Sequence, residues 1–481
     1  MFRSGIACVT GVLAMPAWWN VRGWMLRAAA AAVAATVMTI GAVGGPAEVW
    51  AEPPNLGPAP SAVPEAIDAT VPPPPVKELE RIPARSVTPG ASHELQELRE
   101  AVMPSPSGDR FFDQWPADLT RRASGEVIST RDVMRTAQLL MTVPLRSARQ
   151  VKFRSVDAGG QPIFGTATLL VPAKAWQGPR SRPVLIHNSP IVALGTKCTP
   201  GYTLAHGYHA DTNTTDLVPP FAQLALDRGY AVIVPDHTGP RMAYAEPYVA
   251  AHVIMDSVRA ASRLDPDNFS RGPIALHGYS GGAIATNAAA KLADSYAPEQ
   301  AERIVGAAYG GVPADYRSLA GAMNANLGSG VFHAAMLGVA RERPEVLAMA
   351  NNAARWLATS PMRDLCTSGM GALGVSHIPT QVLSADPDPY HSPVAERLFE
   401  ITSMTDHKAT MPLRIYHGTY EWWIPASQAR ALFAEQCALG ASASYREYPA
   451  EHMTGIFAGL PDTLTWLDAR LRGVPARSEC R

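Results

Sequence analysis

The sequence predicts an α/β protein: a mostly parallel sheet covered by helices on both faces, with a helical segment inserted before the last two strands. Three observations carry this. Short apolar runs such as Val184-Leu185-Ile186 and Tyr230-Ala231-Val232-Ile233-Val234 alternate with helical patterns, the signature of strands buried on both faces. Ile274-Ala275-Leu276-His277 runs into Gly278-Tyr279-Ser280-Gly281-Gly282 and continues as an Ala-rich helical pattern to Ala293. The alternation then lapses between Asp315 and about Met411 and resumes at Leu413.

Composition bounds the reading. A chain of 481 residues, 47% hydrophobic and 17% charged with a formal net charge of −1, has room for one large domain with an insertion. It carries no electrostatic footprint for nucleic acid. The N-terminus reads as a signal peptide over residues 1–51. Arg22 and Arg27 precede an apolar run from Ala28 to Val43, too short for a membrane span, and Ala47 to Ala51 offers small residues for cleavage before Glu52. Translation starting at Met25 would shorten the long segment before that run. Cys8 would leave with the signal. Cys198, Cys366, Cys437 and Cys480 remain, an even count that favours two disulfides in an exported or cell-envelope protein. Several connectivities are open, and Cys198–Cys366 with Cys437–Cys480 is preferred.

From residue 52 to 108 the chain is Pro-rich, including Pro72-Pro73-Pro74-Pro75, and is expected to be a disordered linker. Order is expected from Asp109-Arg110-Phe111-Phe112 onward. Between Gly125 and Pro172 the pattern suggests strands at Leu139 to Val143, Val151 to Val156 and Gly165 to Val171, the last two joined by a turn at Asp157-Ala158-Gly159-Gly160. Val184 to Ile186, Tyr230 to Asp236, Pro273 to His277 and Ile304 to Tyr309 follow as buried strands. Helices are expected over Pro219 to Arg228, Ala250 to Leu264 and Gly281 to Ala293. Residues 109–314 thus form the first part of the core, 315–411 a helical cap, and 412–481 the second part. That second part contains strands at Leu413 to Tyr416 and Ala443 to Tyr448, a helix at Ala426 to Leu439 and a closing helix at Leu460 to Leu471. In the cap, Met323, Leu327, Met336, Leu337 and Met349 read as core, with apolar substrate surface as the competing reading.

The chemistry centres on Gly278-Tyr279-Ser280-Gly281-Gly282. A serine on a tight strand-to-helix turn holds its Oγ clear of the backbone, and the N–H of the next residue, Gly281, points where an oxyanion would form. A serine hydroxyl needs a base, and the base needs an acid to fix its tautomer. The α/β-hydrolase order is Ser, then Asp or Glu, then His, each in a loop after a strand. His452 follows the last strand and is the candidate base. Glu421 is the one carboxylate in the loop after Tyr416 and is the candidate acid, with Asp386 and Asp388 as rivals inside the cap. The second oxyanion donor is expected from the loop His187 to Lys197, where Pro190 has no N–H to give. His206, His209 and Asp211 have a metal-like spacing but sit in a loop without a further nitrogen or sulfur ligand, so no metal and no cofactor are expected. His277 reads as a packed core histidine.

Several separated segments are similar to the secretory lipases, a family of α/β-hydrolases. Phe111-Phe112, Phe153-Arg154-Ser155-Val156-Asp157-Ala158-Gly159-Gly160, Cys198-Thr199-Pro200, Val258-Arg259-Ala260-Ala261, the Ser280 turn and Val305-Gly306-Ala307-Ala308-Tyr309-Gly310-Gly311-Val312-Pro313-Ala314-Asp315 carry the resemblance. It implies Ser280 as nucleophile, His452 as base, the acid at Glu421 where the family usually has Asp, a helical lid, and two disulfides in the preferred order. The chain departs from the family at His237-Thr238-Gly239-Pro240, in the His187 to Lys197 loop, which lacks an acidic residue, and at Trp422-Trp423. The expected activity is an exported serine carboxylester hydrolase, a lipase or esterase acting on small-molecule or lipid esters, with a lipid–water interface as partner. Acyl transfer or peptide hydrolysis by the same triad, or a non-catalytic binding protein on this scaffold, are the alternatives.

Overall fold

In the computed structural model, which describes residues 56–60, 62–178, 180–208 and 220–480, one nine-stranded sheet runs through the molecule in the order β1-β2-β3-β5-β4-β6-β7-β8-β9. The strands are β1 (Val127–Asp132), β2 (Leu145–Val156), β3 (Pro162–Pro172), β4 (Val184–Asn188), β5 (Ala231–Pro235), β6 (Ile274–Tyr279), β7 (Ile304–Gly310), β8 (Leu413–Gly418) and β9 (Ala443–Tyr448). Antiparallel pairing joins β1, β2, β3 and β5, and every pair from β5 to β9 is parallel. The principal helices are α1 (Ala62–Thr70), α2 (His93–Ala101), α3 (Pro247–Leu264), α4 (Gly281–Tyr296), α5 (Tyr316–Met323), α6 (Ser329–Glu342), α7 (Asn352–Thr359), α8 (Pro393–Ser403), α9 (Ala426–Ala438) and α10 (His452–Leu471). This is an α/β-hydrolase fold, as the alternation of apolar runs and helices predicts.

The strand runs are continuous and apolar because helices cover both sheet faces. Every residue of β4, β5 and β6 is buried. On one face Ile186, Ile233 and Leu276 pack with α3 and α4, and on the other Leu185, Val232 and Ala275 meet α10 residues such as Leu467. The β2–β3 turn is closed by Asp157, whose Oδ1 accepts from the N–H groups of Gly159 and Gln161 at 2.9 and 2.8 Å.

Three expectations need revision. The apolar run at Leu139 to Val143 is not a strand: a short helix spans Met134–Leu140, and Val133, Ala137 and Met141 are buried at helical spacing while Leu139 is 82% exposed. The closing helix starts at His452 rather than Leu460, because Glu451 caps it reciprocally with Thr454. The stretch from residue 56 to 108 is not a bare linker. It carries α1 and α2, and Pro72 and Val71 offer carbonyls to Trp356 Nε1 and Asn352 Nδ2 at 2.7 and 2.8 Å.

Buried arginines explain why that arm is ordered. Arg341 on α6 donates to the carbonyls of Val102 (2.9 Å), Leu194 (2.8 Å), Arg241, Met242 (both 3.1 Å) and Arg363 (2.6 Å). Arg99 on α2 returns a bond to Arg341 O at 2.9 Å. Arg241 pairs with Asp157 and Glu342 at 3.1 and 3.0 Å and donates to Ala84 O at 2.7 Å. A buried charge is tolerable only when paired or richly hydrogen-bonded, and these partners come from the arm, the sheet domain and the insertion together.

Candidate active site

Ser280 is the single residue between β6 and α4. Its backbone is held at φ 53°, ψ −120°, a left-handed region that a non-glycine residue occupies only when its surroundings enforce it. Gly278 and Gly282 make that turn possible: a Cβ on Gly278 would lie 2.1 Å from Gly282 O, and one on Gly282 the same distance from Asn188 O. The N–H of Ser280 donates to Gly310 O at 3.0 Å, tying the turn to the end of β7. The first N–H groups of α4 have no partner within the helix and face outward from its N-terminus beside Ser280.

His452 is the first residue of α10. Its Nε2 lies 2.8 Å from Ser280 Oγ, and its Nδ1 lies 2.8 Å from Glu421 Oε2. The imidazole is held on its other sides by rings: Tyr279 at 5.2 Å and Trp423 edge-to-face at 4.7 Å and 78°. Tyr279 also donates from its hydroxyl to His452 O at 2.6 Å. Gly311, at φ +55°, leaves the space this arrangement occupies. A Cβ there would meet Tyr279 Cζ at 2.8 Å and His452 Cε1 at 3.1 Å.

The loop carrying Glu421 is clamped from both sides. Thr419 and Tyr420 donate N–H bonds to Tyr448 O and Ala450 O at 2.8 and 3.0 Å, and His417 Nε2 donates to Ile424 O at 2.8 Å. The side chains of His417 and Glu421 are fully buried, 3.9 Å apart. Burial lowers the pKa of His417, so it sits beside Glu421 as a neutral ring. The structure therefore brings Ser280, His452 and Glu421 together. Asp386 and Asp388 lie elsewhere: Asp386 accepts from the N–H of Asp388, and Asp388 pairs with His391 at 2.7 Å in the insertion.

In the loop expected to supply a second oxyanion donor, Ile191 and Val192 lie against Gly281, whose Cβ would stand 3.2 Å from Ile191 O. Three of the N–H groups are bonded: Ile191 to Ser189 O, Val192 to Pro190 O and Leu194 to Leu365 O. Ser189 O also accepts from His237 Nε2 at 2.9 Å. Behind this loop His187 and His277 stack with 5.4 Å between ring centroids, and burial takes His187 and His237 down to a pKa of about 4.

The metal-like spacing resolves only in part, since His209 and Asp211 fall outside the described residues. His206 Nε2 pairs with Asp109 at 2.9 Å, and among the described residues no cluster of metal-ligating side chains is present. The disulfides join Cys198 to Cys366 and Cys437 to Cys480, which accords with an exported protein.

Above Ser280 lies a chamber of about 50 Å³. Its floor is Ser280 and Ile284, its roof Leu319, Met323 and Met336 of the insertion, and Trp423 closes one side. A larger apolar cavity of about 220 Å³ lies within the insertion, and Met336 borders both. Of the apolar residues singled out in the cap, Met323 roofs the chamber, Met349 lines the larger cavity and Leu327 is half exposed.

The family profile described as secretory lipase matches residues 204–479. The chain belongs to the secretory lipase family. Lipase 10 of Candida albicans is 28% identical over 395 residues, covering 78% of this chain and 83% of that one. A Mycobacterium tuberculosis protein described as a probable inactive lipase is 30% identical over 390 residues, covering 79% and 86%. The crystal structure of Candida antarctica lipase A in its closed state superposes with a TM-score of 0.69 at 25% identity, covering 79% of this chain and 89% of that one. This secretory lipase is thus a carboxylic-ester hydrolase by class, and the geometry above bears on how it would work.

Proposed function

We propose that the protein is an exported serine hydrolase that cleaves acyl esters, including lipid esters, through Ser280, His452 and Glu421 and a covalent acyl-enzyme. The observation that carries this reading is the relay of two 2.8 Å hydrogen bonds from Ser280 through His452 to a buried Glu421, at the floor of an apolar chamber.

In this mechanism Ser280 Oγ attacks the ester carbonyl as His452 Nε2 takes its proton. Glu421 holds the imidazole with Nδ1–H directed at itself and stabilises the imidazolium. The N–H of Gly281 and a second N–H from the loop between His187 and Lys197 receive the oxyanion. The C–O bond to the alcohol then breaks, with the proton passing from Nε2 to the departing oxygen. Water enters, gives a proton to His452 and attacks the acyl-enzyme, and Ser280 recovers its proton as the acid leaves. The apolar lining suits a hydrocarbon acyl group. Export through a signal peptide at residues 1–51 belongs to the same reading and is supported by the family and the disulfides.

The test is Ser280→Ala on a short p-nitrophenyl ester, with circular dichroism to check the fold. Hydrolysis should vanish and labelling by a fluorophosphonate should be lost. Unchanged turnover would remove Ser280 as nucleophile. A native protein that neither turns over esters nor takes the label would be a binding scaffold, the case that the name of the mycobacterial relative raises.

A further inference from the structure

We infer that Trp423 determines which alcohols the enzyme can release: it admits unbranched primary and flat aromatic alcohols and excludes those branched at the carbinol carbon. This rests on the hydrolase reading of Ser280 and His452.

The argument starts from the proton. The departing oxygen must come within hydrogen-bond distance of His452 Nε2, about 2.6–3.2 Å, to take the proton back. The first carbon of the alcohol is one bond further on, so it is confined to the space beside the imidazole. Trp423 occupies the border of that space. Its ring is in edge-to-face contact with His452 at 4.7 Å, and it lines the same chamber as Ser280. The carbonyl oxygen turns to the N–H of Gly281, and the acyl chain runs toward the roof residues Leu319 and Met323. The alcohol side is thus the one bounded by both His452 and Trp423.

The ring is also fixed in place. Trp422 stacks on it at 5.6 Å and 21° from the outside, where Trp422 is 51% exposed. The loop is pinned by the bonds of Thr419, Tyr420 and Ile424 described above. A flat ring that cannot retreat tolerates a flat or thin neighbour and clashes with a branched one. A hydrocarbon pocket discriminates by roughly 10–200-fold per methylene-sized group, so one indole-sized wall is enough to set a preference.

The experiment compares ethyl, isopropyl and tert-butyl esters of one acid, and separately a series of acyl chains on one alcohol, for the native enzyme, Trp423→Ala and Trp423→Phe. The quantity read is the ratio of kcat/KM between two esters in one sample, which does not depend on how much of a variant has folded. Trp423→Ala should raise the tert-butyl to ethyl ratio at least tenfold, Trp423→Phe by less, and neither should reorder the acyl series. An unchanged alcohol ratio, or a change confined to the acyl series, would overturn the assignment while leaving ester hydrolysis itself intact. Absence of hydrolysis in the native protein would instead strike the reading of Ser280.

Discussion

Glu421 binds His452 through one oxygen only. Its Oε2 receives the Nδ1–H bond at 2.8 Å, the side chain is fully buried, and among the described residues no side chain or backbone donor reaches Oε1. Most of what holds this carboxylate is therefore the imidazole itself, and its charge is available to stabilise an imidazolium. Glu421→Gln would leave the shape in place but present an amide to Nδ1 and remove the charge. In the proposed mechanism kcat should fall by about 10⁴-fold, the loss seen when a triad acid becomes an amide. Asp386→Ala and Asp388→Ala should stay near native rates, because both act within the insertion. Steady-state kinetics on one p-nitrophenyl ester compares all three, and equal losses in Asp386→Ala would reassign the acid.

Gly311 tests whether the position of the imidazole matters independently of its chemistry. Alanine there faces two penalties: a positive φ, and a Cβ 2.8 Å from the Tyr279 ring and 3.1 Å from His452 Cε1. Relief requires Tyr279 or His452 to move, and a shift near 1 Å at a reacting group costs on the order of 100-fold in rate. Gly311→Ala should lower kcat by that order with a smaller change in KM, while its thermal midpoint drops by only a few degrees. A variant with native kcat would show that the pair can yield without loss.

The site was legible in the sequence where chemistry is written in side chains. Ser280 and His452 each follow a strand in the α/β-hydrolase order, so pattern and order point to them without coordinates, while for the acid they leave Glu421 beside its rivals Asp386 and Asp388. The second oxyanion donor escapes that logic, because a backbone N–H has no residue type. The arm escapes it too. Pro72 to Pro75 suggest an unpaired linker, yet the groups that order the arm are Arg99, Arg241 and Arg341 acting on carbonyls far away in the chain. The run Leu139 to Val143 misled for another reason. Its apolar residues are consecutive, and the spacing that decides its structure begins earlier, at Val133.

Stability should fall in mild acid through the histidines behind the oxyanion loop. His187 and His237 are 4% and 2% exposed, and burial lowers each pKa from 6.5 to about 4; burial likewise holds that of His277 well below 6.5. As pH drops below 6.5 the unfolded chain takes up these protons while the folded one does not. Stability is therefore complete above about pH 6.5 and is lost progressively toward pH 4, by up to about 1.4 kcal/mol per pH unit for each histidine. His237→Gln keeps a donor for Ser189 O but cannot titrate. Urea midpoints at several pH values should show a slope reduced by up to one proton in that variant. An unaltered slope would mean that the loss arises elsewhere.

Arg341 makes the insertion, the arm and the sheet domain depend on one side chain. Its five carbonyl partners are spread over Val102, Leu194, Arg241, Met242 and Arg363. The charge is itself costly to bury, and desolvation brings its pKa down to about 9. Replacing it with Met removes that cost but leaves those acceptors buried without donors, each a loss of roughly 1–3 kcal/mol before relaxation. The orphaned acceptors outnumber the relieved charge, so Arg341→Met should destabilise the protein by about 3–5 kcal/mol, the range for breaking a buried polar network. Arg341→Lys retains the charge but not the planar fork and should recover only part of this. Because the bond to Val102 O is among those lost, limited proteolysis should cut the Pro-rich arm of the Met variant faster than that of the native protein. If the urea midpoint and the cleavage rate both stayed native, the arm would be held by its apolar contacts with α6 and not by the arginine.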